Sequence, residues 1–249
     1  MPPKIKLLWI SCIIVVFFGF VYFSFMGKVD TTRQKAEVRT EQQSRMKEKL
    51  KAKQTENEGR TFKIDPIKEI KELNALGKYE EAVKYAEGMA TLNPNQPKIY
   101  TWWGISLVKS GRNKEAIEKF IKSAKLDDSY SKTYLYWGLT LAMDGKSEEA
   151  IKKYMKVIEM DSENSNAYAY WGAALEELNQ YDKAVEKLER ALEIHPKNTN
   201  VFGVLIDALF HLERYSEAWE VVKKAKEDKV AIPKYSLKRL AEVFPDPDE

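Results

Sequence analysis

The chain has 249 residues, of which 41 are Lys or Arg and 38 are Asp or Glu, so its formal net charge is +3. One cysteine excludes a disulfide framework and a four-cysteine zinc site, and two histidines argue against a first-row metal enzyme. The balanced charge gives no whole-chain argument for nucleic-acid binding. We therefore expect no cofactor and no nucleic-acid partner, in a chain long enough to bury a sizeable core.

The first long apolar segment runs from Leu7 to Met26 and carries no charge. Twenty helical residues span roughly 30 Å, which matches the hydrocarbon thickness of a bilayer. Trp9 and Tyr22 lie near its two ends, where aromatic rings favour the membrane interface. A buried soluble helix would show a polar face, which this segment lacks. The pattern predicts a single transmembrane helix inside an N-terminal anchor at residues 1–27, with the bilayer contacting residues 7–26.

A cleaved signal peptide is the alternative interpretation of this segment. Its apolar run would be shorter and would end in small residues, whereas this run ends Phe-Ser-Phe-Met-Gly. The basic N-terminal tail favours an N-terminus on the inside, so the rest of the chain would lie across the membrane, which in a bacterium is the periplasm. Basic residues also follow the segment, so the cytoplasmic orientation stays open.

A charged spacer is predicted at residues 28–62. Residues 28–60 contain ten Lys or Arg, six Asp or Glu and no aromatic side chain. This composition buries too little apolar surface to fold alone but includes good helix formers, which predicts a partly helical or disordered spacer. Attraction to anionic lipid headgroups and a weak coiled coil are the alternatives left open. Without this +4 and the +2 of the N-terminal tail, residues 61–249 carry a net charge of −3.

The rest of the chain repeats one motif with a period of 34 residues. Alanine recurs five times at this interval, a Trp-Gly pair three times and an aromatic residue four times. The recurring positions are Ala82, Ala116, Ala150, Ala184 and Ala218; Trp103-Gly104, Trp137-Gly138 and Trp171-Gly172; and Tyr100, Tyr134, Tyr168 and Phe202. The period defines units at 63–96, 97–130, 131–164, 165–198 and 199–232. The first and the last unit are degenerate.

Each unit contains two helical stretches separated by a short turn. Gly77, Gly111 and Gly145 stand where a first helix would end, and they predict a left-handed C-cap. Asn179 adopts the same conformation readily and Glu213 less readily. Small residues at the fixed positions let paired helices approach closely, while large aromatic side chains fill the layer between units. The pattern predicts an all-α solenoid of helical hairpins, in which each unit covers the apolar face of its neighbour.

These residues resemble the tetratricopeptide repeat (TPR) family, whose pattern has an aromatic residue at position 4, a large residue and Gly at 7 and 8, Ala at 20 and an aromatic residue at 24. The three central units match closely, with Phe120, Tyr154 and Leu188 at position 24. The terminal units depart from the pattern, as end repeats do when one face meets solvent. The resemblance implies a TPR-type right-handed solenoid. Residues 233–249 are predicted to form a capping helix and an acidic tail.

The family resemblance also implies that the first helices line a concave groove. Trp102, Tyr136 and Tyr170 occupy one repeat position and should form an aromatic ladder, which we predict to dock a partner peptide. Packing between adjacent first helices is the alternative. The remaining partner-binding candidates are Ile105, Leu135, Leu139, Lys71, Lys98 and Lys132; an acidic far end would contain Glu176, Glu177 and Asp207; and the core would hold Trp103, Trp137 and Trp171.

No catalytic constellation is visible in the sequence, so we expect no enzyme. His211 has no nucleophile or carboxylate placed by spacing to activate it, and the glycines are dispersed rather than clustered into a phosphate loop. The sequence predicts a membrane-anchored adaptor that binds a partner polypeptide in the groove of a five-unit array. Two alternatives stay open, namely a scaffold that self-assembles at a membrane and a noncatalytic accessory subunit of a membrane or envelope biogenesis complex.

Overall fold

The computed structural model describes residues 65–247, together with the isolated positions Ser44 and Glu48. The predicted anchor at residues 1–27 lies outside the described residues, as does nearly all of the spacer at 28–62. Among the residues that are described, no helix has the length and apolar character needed to cross a membrane.

Residues 65–247 form eleven α-helices and no strand. In chain order they are α1 (Pro66–Ala75), α2 (Tyr79–Leu92), α3 (Pro97–Lys109), α4 (Asn113–Leu126), α5 (Ser131–Met143), α6 (Ser147–Met160), α7 (Ser165–Glu177), α8 (Tyr181–Ile194), α9 (Phe202–His211), α10 (Tyr215–Glu227) and α11 (Lys234–Val243). The first ten pair into five hairpins, and α11 follows the last hairpin. The predicted all-α array of helical hairpins is confirmed.

The turns inside the hairpins adopt the left-handed conformation that the sequence predicts. Gly77, Gly111 and Gly145 have φ of 73°, 79° and 72°. Asn179 and Glu213 take the same place in the fourth and fifth hairpins, each with φ of 57°. For Glu213 this conformation costs energy, because its Cβ approaches the backbone in a way that glycine avoids.

The first helices form an inner row. Each first helix approaches the next one closely, from α1 with α3 through to α9 with α11, whereas the backbones of successive second helices in the described array stay further apart. A stack whose units touch on one side and separate on the other curves toward the touching side. The inner row therefore lies on the concave face, where the predicted ladder residues are located.

The recurrent glycines make room for side chains of the second helix in the same hairpin. A Cβ atom at Gly138 would lie 2.5 Å from Cε1 of Tyr154, whose ring is fully buried. The matching pairs are Gly104 with Phe120 and Gly172 with Leu188, each at 2.5 Å. The sequence predicts close approach of two helices here. The structure shows that the volume of the missing methyl group is occupied by the residue at position 24.

Three tryptophans predicted to lie in the core pack against its buried clusters and are themselves half-buried. The indole of Trp137 is covered by the ammonium group of Lys153, whose Nζ lies 3.8 Å from the ring centroid. The same contact joins Lys119 to Trp103 at 4.3 Å and Lys187 to Trp171 at 4.7 Å. Each indole thus packs on the core, and a lysine of the second helix in the same hairpin lies over its ring.

The terminal helix α11 packs on the last hairpin. Leu240 is fully buried, and the ring of Phe244 stacks on Tyr215 with 6.0 Å between the centroids. Nε1 of Trp219 in α10 donates a hydrogen bond of 2.9 Å to the carbonyl oxygen of Phe244. These contacts cover the apolar face that a following repeat would otherwise cover.

Candidate functional site

The predicted aromatic ladder lies on three successive helices of the inner row. Trp102 is on α3, Tyr136 on α5 and Tyr170 on α7, and all three side chains are half-buried. Tyr170 leans toward the core, because its ring lies 6.0 Å from that of the buried Tyr154 and burial raises the pKa of its hydroxyl. Each ring thus packs on its own array and keeps part of its surface open.

The predicted lysines gather at the N-terminal end of the ladder. Nζ of Lys71 lies 5.0 Å from the ring centroid of Trp102. Nζ of Lys132 lies 5.5 Å from the same centroid and 5.6 Å from that of Tyr136. We call Lys71, Trp102, Lys132 and Tyr136 the basic–aromatic cluster. It joins side chains of α1, α3 and α5, so it exists only when three repeats are stacked.

Lys98 lies beside this cluster and contacts a residue that the sequence analysis missed. Its Nζ is 5.6 Å from the ring centroid of Tyr130, at the end of the second unit. Burial raises the pKa of the Tyr130 hydroxyl, and its proximity to Trp102 opposes that rise. The aromatic surface around Trp102 therefore extends toward the N-terminal ends of α3 and α5.

The cluster is electrostatically unbalanced. Burial lowers the pKa of Lys132, and the nearby charge of Lys71 lowers it further. Among the described residues, no carboxylate lies within 4.0 Å of either ammonium group, whereas Lys68 on the same helix as Lys71 pairs with Glu72 at 3.7 Å. Two like charges thus converge on one ring, and the described residues supply no carboxylate within 4.0 Å of either.

The apolar candidates do not all reach the surface. Ile105 is only 2% exposed and packs with the buried ring of Phe120. Its prediction as a partner-binding residue needs correction, because the neighbouring hairpins close over its side chain. Leu135 and Leu139 are half-buried, and Leu135 packs against the core around Tyr154.

The acidic far end of the groove is partly neutralised by α11. Arg239 donates to Oδ1 of Asp207 at 2.5 Å, and Ser236 donates to Oδ2 at 3.2 Å. Burial raises the pKa of Glu176, and the charge of Asp207 raises it further. In the adjacent hairpin, Ser147 donates a 2.5 Å hydrogen bond to Glu177.

The far end of the groove also contains a histidine. His211 is exposed and stacks on Tyr181, with 4.6 Å between the ring centroids. Within residues 65–247, no group of three or more His, Cys, Asp or Glu side chains could hold a metal ion.

Models of the tetratricopeptide repeat match residues 136–199 and 175–237. This chain contains TPR repeats. The matches cover the region from the ladder residue Tyr136 to the start of α11, and they agree with the helical hairpins described above. No curated protein matches the chain significantly.

Solved structures show the same TPR fold. For pilF from Pseudomonas aeruginosa, the identity is 19%, the TM-score is 0.66, and the match covers 74% of this chain and 84% of that chain. For MamA from Desulfovibrio magneticus RS-1, the values are 22%, 0.58, 66% and 94%. For a thermophilic TPR protein from Thermus thermophilus, they are 22%, 0.58, 72% and 97%. At these identities the likeness establishes the fold.

Two residues of this TPR surface escaped the sequence analysis, Tyr130 and Arg239. Both lie outside the first helices of the five units, where groove residues were sought. Arg239 was detectable by continuing the period, because α11 stands where the first helix of a further unit would begin. Tyr130 closes its unit just before α5, and the period alone does not indicate that it contacts Lys98.

Proposed function

We propose that the protein is an adaptor whose inner row of helices binds a partner polypeptide. The basic–aromatic cluster carries this proposal. Half-buried rings supply contact area at low entropic cost, and the adjacent ammonium groups add long-range attraction. The rings are held on helices with well-packed cores, so the surface is formed before binding and little ordering energy is lost.

We also propose that the adaptor is anchored to a membrane. The uncharged segment from Leu7 to Met26 would anchor the chain, with the repeats on the side opposite the N-terminus. Confinement to a membrane raises the effective concentration of the groove toward a partner on the same surface, without any new contact. The support for this part is the sequence pattern of the segment and its flanking charges.

A photoreactive amino acid tests the binding surface in the full-length protein in its native membranes. We expect it to form an adduct when it replaces Tyr136 and none when it replaces Met155, which is 44% exposed on the outer helix α6. Equal adducts at both positions would contradict a binding surface on the inner row. An adduct with the mass of two chains would indicate the self-assembling scaffold instead.

Adjacent tryptophans provide a matched pair for the same experiment. Trp102→Ala should abolish the adduct at Tyr136, whereas Trp103→Ala should retain it. Both indoles are half-buried, so both changes lower stability. Trp102 contacts Lys71 of a neighbouring first helix, whereas Trp103 lies under Lys119 of a second helix. Circular dichroism melts of both variants control for unfolding. Loss of the adduct in both folded variants would remove the assignment to Trp102.

Membrane fractionation and proteolysis test the anchor. We expect the full-length protein to stay with the membrane at alkaline pH and to be released when residues 7–26 are deleted. Protease added to the outer side of sealed membranes should digest the repeats. Release of the intact protein by alkali would refute the anchor, and protection of the repeats until the membrane is opened would refute the orientation.

A further inference from the structure

Three buried hydroxyl groups meet where the second hairpin packs on the third. Thr101 of α3, Ser123 of α4 and Thr133 of α5 are each fully buried. The oxygen atom of Thr101 lies 2.8 Å from that of Ser123 and 2.7 Å from that of Thr133, and the other two oxygens are 3.1 Å apart. We call these three residues the hydroxyl triad. It joins three helices of two successive hairpins.

The hydrogen bonds of the hydroxyl triad form a continuous chain. Ser123 donates to the carbonyl oxygen of Pro97 at 2.9 Å. The Ser123 oxygen can accept from Thr101, whose own oxygen can accept from Thr133, so that each hydroxyl proton is used once. A buried hydroxyl without a partner is costly, so this chain favours the one arrangement of the helices in which all of its bonds are made together.

The period of 34 residues identifies the corresponding positions at the other interfaces between the five hairpins, and all of them are apolar. They are Ile67, Met89 and Ile99 at the first interface; Leu135, Val157 and Ala167 at the third; and Ala169, Ala191 and Val201 at the fourth. Apolar contacts are individually weak and non-directional, whereas hydrogen bonds weaken steeply with distance and angle. The hydroxyl triad therefore restricts the second interface more narrowly than apolar side chains would.

The same interface contains the centre of the basic–aromatic cluster. Trp102 directly follows Thr101 in α3, and Lys132 directly precedes Thr133 in α5. The ring contact between Lys132 and Trp102, with 5.5 Å from Nζ to the centroid, joins the same two helices. Because the ladder residue Tyr136 is also on α5, any sliding or rotation of α5 against α3 would change its position relative to Trp102.

We propose that the hydroxyl triad positions the third hairpin against the second and thereby fixes the geometry of the basic–aromatic cluster. Its members are positioning residues, because they are buried and act through the helices that carry the cluster. This inference rests on the proposed function, although its structural part can be tested without a partner. A buried polar group can specify one packing arrangement without adding stability, as a single buried asparagine does in coiled coils.

Spin labels at matching repeat positions measure how firmly successive hairpins are held. Glu118, Lys152 and Glu186 are exposed at the same repeat position of α4, α6 and α8. Glu118→Cys with Lys152→Cys spans the second interface, and Lys152→Cys with Glu186→Cys spans the third. The single native cysteine is removed by Cys12→Ser in both proteins. Double electron–electron resonance on the purified full-length protein in detergent then gives the distance distribution of each pair.

The triple variant Thr101→Val, Ser123→Ala, Thr133→Val replaces the hydroxyl triad with apolar groups of similar shape. We expect a broader distance distribution across the second interface, an unchanged one across the third, and a urea midpoint close to that of the wild type. The milder variant Thr101→Val, Thr133→Val keeps the bond from Ser123 to Pro97 and should broaden the same distribution, even where the triple variant fails to fold. An unchanged width across the second interface, or equal broadening across both, would overturn the proposal.

Thr140→Val is the matched control for a lost buried hydroxyl. Thr140 is also fully buried, but its hydroxyl donates to the carbonyl oxygen of Tyr136 in the same helix, at 2.7 Å. This change should therefore leave both distance distributions unchanged. Broadening across the second interface in this variant as well would show that any lost hydroxyl loosens the array, and would overturn the assignment to the hydroxyl triad.

The photoreactive amino acid at Tyr136 connects the hydroxyl triad with partner binding. In the triple variant the adduct should be largely lost, although the array stays folded. A full adduct together with a broadened distribution would overturn the role of the triad in binding. A wild-type chain that forms no adduct would overturn the adaptor function, whereas the spin-label widths would still decide whether the triad fixes the interface.

Discussion

At the scale of single residues, the hairpins depend on glycines, which have a hydrogen atom where other residues have a Cβ atom. A Cβ at Gly138 would meet the ring of Tyr154 at 2.5 Å, and the ring has no free volume to move into because Tyr154 is fully buried. Because a protein interior is close-packed, an added atom would displace the neighbouring atoms. The glycine is therefore a packing requirement and not a backbone one.

We predict that Gly138→Ala lowers the free energy of unfolding by about 1–3 kcal/mol, the usual cost of overpacking. The change acts against helix propensity, which favours Ala over Gly by about 1 kcal/mol in a helix interior. Urea denaturation measures the difference. The control is the same change in a Tyr154→Ala background, where the cost should largely vanish. A similar cost in both backgrounds would show that the ring is not the cause.

The sequence predicted these small positions but not what fills them. A period of 34 residues marks where a side chain is absent. The side chain that fills this space is on another helix, and which residue fills it depends on how the two helices cross. Ile105 shows the same limit, because the period places it beside the groove while the three-dimensional packing buries it to 2% exposure. Turn conformations were predictable at Gly77 or Gly145, since φ depends on the residue itself.

At the scale of helices, α11 does more than cover apolar surface. It brings Arg239 to Asp207 of α9, and the guanidinium also lies 4.3 Å from the ring of Phe210. Glu176 of α7 faces this group, together with Glu177 and His211. Only the apolar stripe of α11 was predictable from its own sequence. The salt bridge between Arg239 and Asp207 depends on how α11 packs against α9.

Glu176 should make stability depend on pH. Burial and the charge of Asp207 raise its pKa in the folded state, so the folded protein holds this proton to a higher pH than the unfolded chain does. Its ionisation therefore destabilises the fold as pH rises through the folded pKa, and the cost is absent below the unfolded value of about 4.3. We expect Glu176→Gln to raise the urea midpoint at pH 7 and to lose this advantage near pH 4.

The reference for that measurement is Glu163→Gln, an exposed glutamate in the loop after α6. It should change the midpoint little at any pH. Each variant is compared with the wild type at the same pH, because the charges of Asp207, Glu177, His211 and Arg239 face Glu176. A gain for Glu176→Gln that is equal at pH 4 and pH 7 would assign the effect to the amide rather than to the lost charge.

At the scale of the whole array, every contact between helices in residues 65–247 is local. Each helix contacts only helices one or two places away in the chain. Stability in such an array is close to a sum over units and their shared interfaces. This locality explains why a sequence period sufficed to predict the fold. The basic–aromatic cluster was predictable only as a shared face, because the approach of Lys71 and Lys132 to one ring depends on the offset between successive units.

Locality also predicts that the two ends of the array unfold separately. Leu240 is fully buried where α11 meets the last hairpin, so Leu240→Ala should cost about 2–5 kcal/mol at that end. We expect hydrogen exchange to accelerate in α9, α10 and α11 and to change little in α3 and α4. Val243→Ala, on the same helix but 53% exposed, should leave both regions unchanged. Because the basic–aromatic cluster belongs to α1, α3 and α5, the adduct at position 136 should form in the Leu240→Ala variant as in the wild type. Uniform acceleration along the array, with loss of that adduct, would show that the repeats unfold as one cooperative unit.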